Sequence, residues 1–414
     1  MASSNANPPT RRILLLTPFP PRCEGFHGGS QAIGRLVREL VDLHSVAVVY
    51  LRAKDEAPME PALAARCAAV EEVRRPGASG NPARYLRLLG AWARGYPMWV
   101  EDWRVPEFRK RMRKLIEQWH PDVVQFEFHT MAQYRDKATR HCSVLVEHEP
   151  GAAAARDRWQ YSTGWRRLLL ARDLRSWEEY ERGSLAKFDA VVCFTDLDRR
   201  KLLELTPAAR IKVIAPAGPS CTQLRRPGVE SANTILFVGN FIHPPNVDAA
   251  IRLAERIFPL VRVGHPDAVL QLVGDAPPAS IRRLAGPGVV VTGRVPDVAP
   301  FLDAATIVAV PLRMGGGMRL KVLDAMAFGK AMVATPLAVE GLNLKDGDEL
   351  LLAESDQEFA GAIGELLSNA PRRQRLSESA GAWAAQFGAP GRVGAAFERL
   401  YESLNRNNSS GPST

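Results

Sequence analysis

The stretch with the most chemistry in it is PLRMGGGMRLKVLDAMAFGKAMVATP, from Pro311 to Pro336. A β-branched run ends at Pro311, and three glycines follow: Gly315, Gly316 and Gly317. A helical pattern then runs from about Met318 to Phe328, with Gly329 where a C-cap glycine belongs. Glycines ahead of a helix let backbone N–H groups approach an anion, and the helix N-terminus adds partial positive charge. The spacing puts Arg319 and Lys321 in the first turn, at an exposed helix start, where cations oppose the helix dipole. That placement makes sense if they neutralise a phosphate. Asp324, further along, is within reach of a nucleotide's ribose hydroxyls. Three glycines alone would read as a solvated turn. The strand, loop, helix, cap and second strand together favour anion binding.

Other chemistry-bearing residues fall just after β-branched runs. His148 sits in VEHEPG, where a neutral imidazole could hydrogen-bond a hydroxyl or hold a second substrate. Glu127 and His129, in FEFHTM, end another run and are candidates on the same edge. Asp196 and Asp198 form a D-x-D, a metal-binding pattern in some enzymes. They stand at a helix start, so capping explains them better, and no metal site is expected. The five cysteines, Cys23, Cys67, Cys142, Cys193 and Cys221, are scattered without a CxxC pair. That disfavours zinc and a disulfide framework and points to a reducing cytoplasm.

These residues are positioned by short apolar runs between longer helical patterns. In the first half the runs are 13–17, 45–51, 123–127, 143–147, 190–194 and 211–215; in the second, 234–238, 268–273, 289–292, 306–312 and 331–335. Near-continuous apolar strands alternating with helices imply parallel sheets covered on both faces. Eleven strands are too many for one comfortable sheet. A Pro-, Gly- and Ser-rich stretch divides them, so the expected fold is α/β, two doubly wound Rossmann-like domains facing a central cleft. The expected limits are 1–217 for the first domain, 218–233 for the linker and 234–384 for the second domain. A last helix, 385–405, is expected to cross back to the first domain, ahead of a disordered tail, 406–414.

The 414 residues carry 54 Lys plus Arg against 45 Asp plus Glu, a net charge of +9. Residues 1–217 hold 35 of the basic and 26 of the acidic residues, so the whole excess lies there. The densest cluster, Arg109, Lys110, Arg111, Arg113 and Lys114, lies on a helical pattern with Met112, Leu115, Ile116 and Trp119 on one face. An ordinary amphipathic helix packed on a sheet is the favoured reading, with a membrane-surface helix as the alternative. No motif for nucleic-acid binding accompanies the charge, no run reaches the length of a membrane-spanning helix, and nothing resembles a signal peptide.

DAMAFGKAMVATP resembles the end of the donor-domain signature of retaining, nucleotide-sugar-dependent glycosyltransferases of the two-domain GT-B fold, close to family 4 (group 1). In that signature a Glu, seven residues and a second Glu precede Ala-Met-Ala-x-Gly. Here Asp324 replaces the second Glu, and the first would fall at Gly316 and is absent. GGGMRLK, with Met318 beside the glycines, is the pattern of a subgroup with a basic pair at that turn. FVGNFIHPPNVDAA resembles the first strand and turn of the donor domain, including Gly239, where Arg and Lys six residues apart meet the diphosphate. Those positions here are Asn240 and Asn246, which implies that the cationic role moves to Arg319 and Lys321. VTGRVPD resembles the segment whose backbone meets the nucleobase, at Gly293, Arg294 and Val295. TPFPPRCEGFHGGS resembles the first strand and Gly-Gly loop, Gly28 and Gly29, which reaches towards donor phosphate and acceptor. His148 matches the position that touches the donor sugar, and the stretch 382–404, with Trp383, Phe387, Phe397 and Tyr401 as packing residues, resembles the last helix.

The resemblance implies sugar transfer from a nucleotide diphosphate sugar to an acceptor hydroxyl with retention, without a metal or cofactor beyond that co-substrate. It implies a glycan, lipid-linked or small-molecule acceptor. The cysteine pattern and the basic first half point to a cytoplasmic protein that could meet an anionic membrane peripherally, at the inner face. A nucleotide-sugar epimerase of the same fold and a non-catalytic nucleotide-sugar-binding protein are the alternatives.

Overall fold

The computed structural model describes residues 10–23, 28–77, 82–135, 141–160, 162–219, 231, 233–315 and 319–409. Most of the expected linker, and the end of the expected tail, lie outside the described residues. The chain divides into two compact units. One contains residues 29–216 together with the N-terminal segment up to Glu24 and the chain from Gly391 on; the other contains 217–390 and the short segment that ends at Gly28.

The first unit runs β1 (Arg12–Thr17), α1 (Gly28–Leu40), β2 (Ser45–Arg52), α2 (Pro61–Ala64), β3 (Ala69–Arg74), α3 (Pro82–Ala93), α4 (Met98–Asp102), α5 (Pro106–Trp119) and β4 (Val123–Glu127). It continues with β5 (Cys142–Glu147), α6 (Gly151–Gln160), α7 (Trp165–Leu185), β6 (Ala190–Cys193), α8 (Asp196–Leu205) and β7 (Ile211–Val213). The seven strands pair in parallel in the order β3-β2-β1-β4-β5-β6-β7. β4 and β5 are buried at every residue, as strands covered on both faces must be. β3 was not among the expected strands: AVEEVR is a half-buried edge strand whose two glutamates interrupt the apolar run.

Helix α5 spends its apolar face inward. Phe108, Met112 and Ile116 lie in the core, with Leu115 and Trp119 packed against it. On its other side Arg109 donates to the Gln133 carbonyl, and Arg111 pairs with Glu107 and Glu71. The packed-helix reading therefore describes α5.

The second unit runs β8 (Thr234–Val238), α9 (Pro244–Arg252), α10 (Phe258–Gly264), β9 (Val269–Val273), α11 (Ala279–Arg282), β10 (Val289–Gly293) and α12 (Ala299–Ala304). β11 (Ile307–Val310), α13 (Leu320–Ala327), β12 (Met332–Ala334), β13 (Leu351–Leu352), α14 (Asp356–Ser368) and α15 (Ala370–Phe387) follow. Its six strands are parallel in the order β10-β9-β8-β11-β12-β13. The two-residue β13 is too short to leave a periodic signal in sequence. In both sheets the order reverses beside the first strand, the topological switch point where open α/β sheets bind ligands.

The last helix, α16 (Arg392–Ser409), starts later than residue 385. Trp383 and Phe387 therefore sit on α15, stacked on each other against the second unit's core, and not on the last helix. Phe397 and Tyr401 are buried on α16 within the first unit. There Glu398 pairs with Arg11 and His44, and the Gly394 amide donates to Glu39.

Candidate functional site

In the second unit the candidates gather beyond the carboxyl ends of β8 and β11. After β8 the chain turns through Gly239 and Asn240 into α9. A Cβ on Gly274, just after β9, would come within 1.7 Å of the Gly239 carbonyl oxygen, so only glycine lets the two strand ends meet. The Asn246 side-chain amide donates to the Asn240 carbonyl at 2.7 Å, and Lys321 Nζ donates to Asn246 Oδ1 at 2.6 Å. The same ammonium lies 4.6 Å from the centre of the Phe237 ring. Lys321 thus stands on the asparagine that occupies the expected cation position.

This geometry corrects the exposed helix start. Helix α13 begins at Leu320, Arg319 is its N-terminal cap residue, and Lys321 is partly buried. Burial first, and then the Arg319 charge, lower the Lys321 pKa from the usual lysine value to about 7. Gly315 has a φ of +109°, a backbone region that suits glycine, and its added Cβ would press on Pro245 and Arg319. Arg313 grips Asp248 of α9 through two hydrogen bonds, fixing the strand exit before the glycines. Gly316, Gly317 and Met318 lie outside the described residues. Asp324 is partly buried on α13. Arg294 is exposed at the end of β10, after Gly293 at φ +71°, whereas the Val295 side chain is buried in the core, leaving only its backbone for a ligand.

In the first unit Glu127 closes β4 and His148 follows β5, which pairs with it in register. His148 Nε2 is 2.7 Å from Glu127 Oε2, and both side chains are buried. An ionised carboxylate can only accept, so against it Nε2 carries a hydrogen, and in the neutral imidazole Nδ1 is then an acceptor. The other Glu127 oxygen accepts from the Gln125 amide at 2.6 Å, and Gln125 Oε1 accepts from the Tyr401 hydroxyl at 2.6 Å. A buried relay therefore runs from α16 to the imidazole. Phe128 stacks on His148 at 3.8 Å and 10°, with Phe194 edge-on at 4.8 Å. To do so Phe128 adopts φ +71°, a conformation that costs a bulky residue about 1–3 kcal/mol.

His129 stands apart from that pair. Its Nδ1 lies 3.1 Å from the Glu149 carbonyl and 3.5 Å from Glu147. Burial alone would lower its pKa; Glu147 and then Glu181 outweigh this and raise it. Glu181, whose Oε1 accepts from the Ala152 amide, is pushed well above the carboxylate range by burial first and by Glu147 second. Gly28 and Gly29 form the first turn of α1 and not a loop ahead of it. At Asp196 and Asp198 the cap is Thr195, whose Oγ accepts from the Asp198 amide and donates to its carboxylate. Among the described residues no group of three or more His, Cys, Asp or Glu could hold a metal. Gln125, Phe128 and Tyr401 were not read from sequence as part of a site: each is an ordinary core residue until register and α16 join it to Glu127.

Residues 232–369 match the family model described as Glycosyl transferases group 1, so the pattern that the sequence resembles is present in the second unit. A Klebsiella pneumoniae protein described as an uncharacterized 44.6 kDa protein in the cps region is 28% identical over 138 residues, 31% of this chain. The match spans 36% of that relative's length. Sucrose-phosphate synthase from Thermosynechococcus elongatus superposes with a TM-score of 0.73 at 16% identity, covering 96% of this chain and 100% of that one. Anabaena HepE in complex with UDP-glucose gives 0.67 at 14% identity, covering 95% and 100%. WaaG, a glycosyltransferase involved in lipopolysaccharide biosynthesis, gives 0.64 at 15%, covering 93% and 98%. The fold is the α/β, two-Rossmann GT-B fold of these glycosyltransferases.

Proposed function

We propose that the protein is a glycosyltransferase that moves a sugar from a nucleotide diphosphate donor to an acceptor hydroxyl with retention of anomeric configuration. The observation that carries this is the group 1 match over 232–369, whose strand ends hold Lys321 on Asn246 beside Asn240. HepE is a protein of the same fold seen with UDP-glucose, which supports a nucleotide-sugar donor. Lys321, Arg319 and the start of α13 stabilise the departing diphosphate, and Asp324 takes the ribose. His148, its tautomer set by Glu127, accepts from a sugar hydroxyl through Nδ1. The bond from the anomeric carbon to the diphosphate oxygen breaks, and a bond to the acceptor oxygen forms on the same face. The acceptor's proton passes to the leaving phosphate oxygen. No metal or further cofactor enters this scheme.

Incubation of the purified protein with a panel of nucleotide diphosphate sugars and hydroxyl acceptors tests it, with product anomeric configuration read by NMR. Net inversion would remove the retaining assignment. Conversion of the donor sugar to an epimer without acceptor would replace the transferase reading. Donor binding without turnover would leave a binding protein.

A further inference from the structure

Fourteen large hydrophobic side chains are exposed among the described residues, and eight of them fall on three stretches of the first unit. Tyr85, Leu86 and Leu89 lie on α3, Met98 and Trp99 on α4, and Trp165, Leu168 and Leu169 on the first turns of α7. They are not marginal: Leu86 is 71% exposed, Leu168 77% and Trp165 68%. Helix α3 reads PARYLRLLGAWA, yet it buries only Ala91. The apolar surface that α5 spends on the core is left outward on α3.

Fixed hydrogen bonds bring these stretches to one region. Arg84 grips Asp102 of α4 through two bonds at 2.6 and 2.8 Å. Arg172, one turn past Leu168, donates to the carbonyls of Trp92 and Ala93 at the end of α3. The rings of Tyr96 and Tyr180 then meet edge to face at 5.4 Å.

The exposed charge is predominantly basic. Neither α3 nor residues 165–172 contain an acidic residue. The two on α4, Glu101 and Asp102, are taken up by Arg87 and Arg104 and by Arg75 and Arg84, while Arg94, Arg166 and Arg167 are exposed. Trp and Leu among arginines without acids is the composition of a segment that lies in a lipid headgroup layer. An exposed apolar area rimmed by charge marks a surface with a partner. A second copy seated on this face about a two-fold axis would set arginines against arginines, so the charge pattern disfavours self-association.

We propose that α3, α4 and the start of α7 form a docking surface for an anionic bilayer. Leu86, Leu89, Trp165 and Leu168 enter the boundary between headgroups and acyl chains, and the arginines meet lipid phosphates. The assignment does not depend on the glycosyltransferase reading, and its test does not use activity.

The test is co-sedimentation of the whole protein with vesicles of phosphatidylcholine alone or containing phosphatidylglycerol. Binding to the anionic vesicles should exceed binding to neutral ones by about tenfold at low salt and fall as salt screens the surface. Leu86→Ser with Leu89→Ser, and separately Trp165→Ser with Leu168→Ser, should each abolish most of it. These side chains are exposed, so melting curves should match the parent and exclude misfolding as the cause. Lys110→Gln, Arg113→Gln and Lys114→Gln together, on α5, should leave most binding in place. Equal recovery with both vesicle types would overturn the proposal, as would loss confined to the α5 variant. Concentration-dependent dimerisation abolished by the same serine variants, without vesicle binding, would assign the face to a second copy instead.

Discussion

At the end of β8, Lys321 stands against an amide and an aromatic ring; at the end of β5, His148 stands against a carboxylate and an aromatic ring. The two strand ends hold their ionisable groups in opposite ways. The second unit places a cation beside another cation and lets burial lower its pKa. The first unit supplies its imidazole with a buried anion and two further hydrogen-bonded side chains. An anionic ligand beside Lys321 would favour its charged form. It has less to offer the second arrangement, which is already satisfied. On the proposed reading the first arrangement serves a phosphate and the second an orientation.

The largest expected effect is at the cations. Lys321→Ala and Arg319→Ala should each lower kcat/KM by about thirtyfold or more, corresponding to about 2 kcal/mol of lost diphosphate stabilisation. Without ligand the melting temperature of Lys321→Ala should not fall at neutral pH, because the variant loses a desolvated ammonium. Unaltered turnover with an intact donor would erase the contrast between the two clusters.

Next comes Glu127→Gln. The amide can donate to Nε2 and so favours the other imidazole tautomer. We expect about a tenfold loss in kcat with a smaller change in KM, together with a changed His148 tautomer signature in nitrogen NMR. A lost fold with an unchanged tautomer would make Glu127 a packing residue only.

The pH response separates the clusters further. With a folded pKa of about 7 against an unfolded value near 10.4, Lys321 is charged in the unfolded chain and neutral in the folded one between those limits. The unfolded state then binds the extra proton, so stability of the unliganded protein from this group rises with pH across that window. A bound diphosphate should pull the proton back. Calorimetry of nucleoside diphosphate binding at pH 8, in buffers of different ionisation enthalpy, should register proton uptake approaching one. Lys321→Met should remove it; uptake that persists in that variant would locate the proton elsewhere.

The smallest effect is expected at the far end of the relay. Tyr401→Phe removes one buried hydroxyl and should cost about 1 kcal/mol of stability and no more than a fewfold in kcat. A loss as large as that of Glu127→Gln would mean that the imidazole is positioned mainly from α16.

The difference also explains what could be read from the amino acids. The strand–loop–helix pattern around Gly315 to Gly329 lies in one contiguous stretch, so local spacing exposes it, as it does most of the strands. What spacing could not supply was burial: Lys321 falls in the first turn by count, but only the packing of α13 on Phe237 and Asn246 takes its ammonium out of water. In the first unit His148 and Glu127 were visible as strand-end residues. Their bond depends on the register of β4 against β5, and Tyr401 lies 276 residues from its partner Gln125. The edge strand β3 escaped notice because its glutamates are tolerated at a sheet edge.

The placement of α16 has a consequence for how the chain reaches its native state. The first unit's core includes Phe397, Leu400, Tyr401 and Leu404, which leave the ribosome after the whole second unit. The N-terminal sheet can assemble early from local βα units, but its relay to His148 stays open until the end of synthesis. The order of maturation therefore reverses the order of the sequence: the unit translated second can complete its core first. During that interval the buried face that awaits α16 is exposed, and chaperones would meet it there.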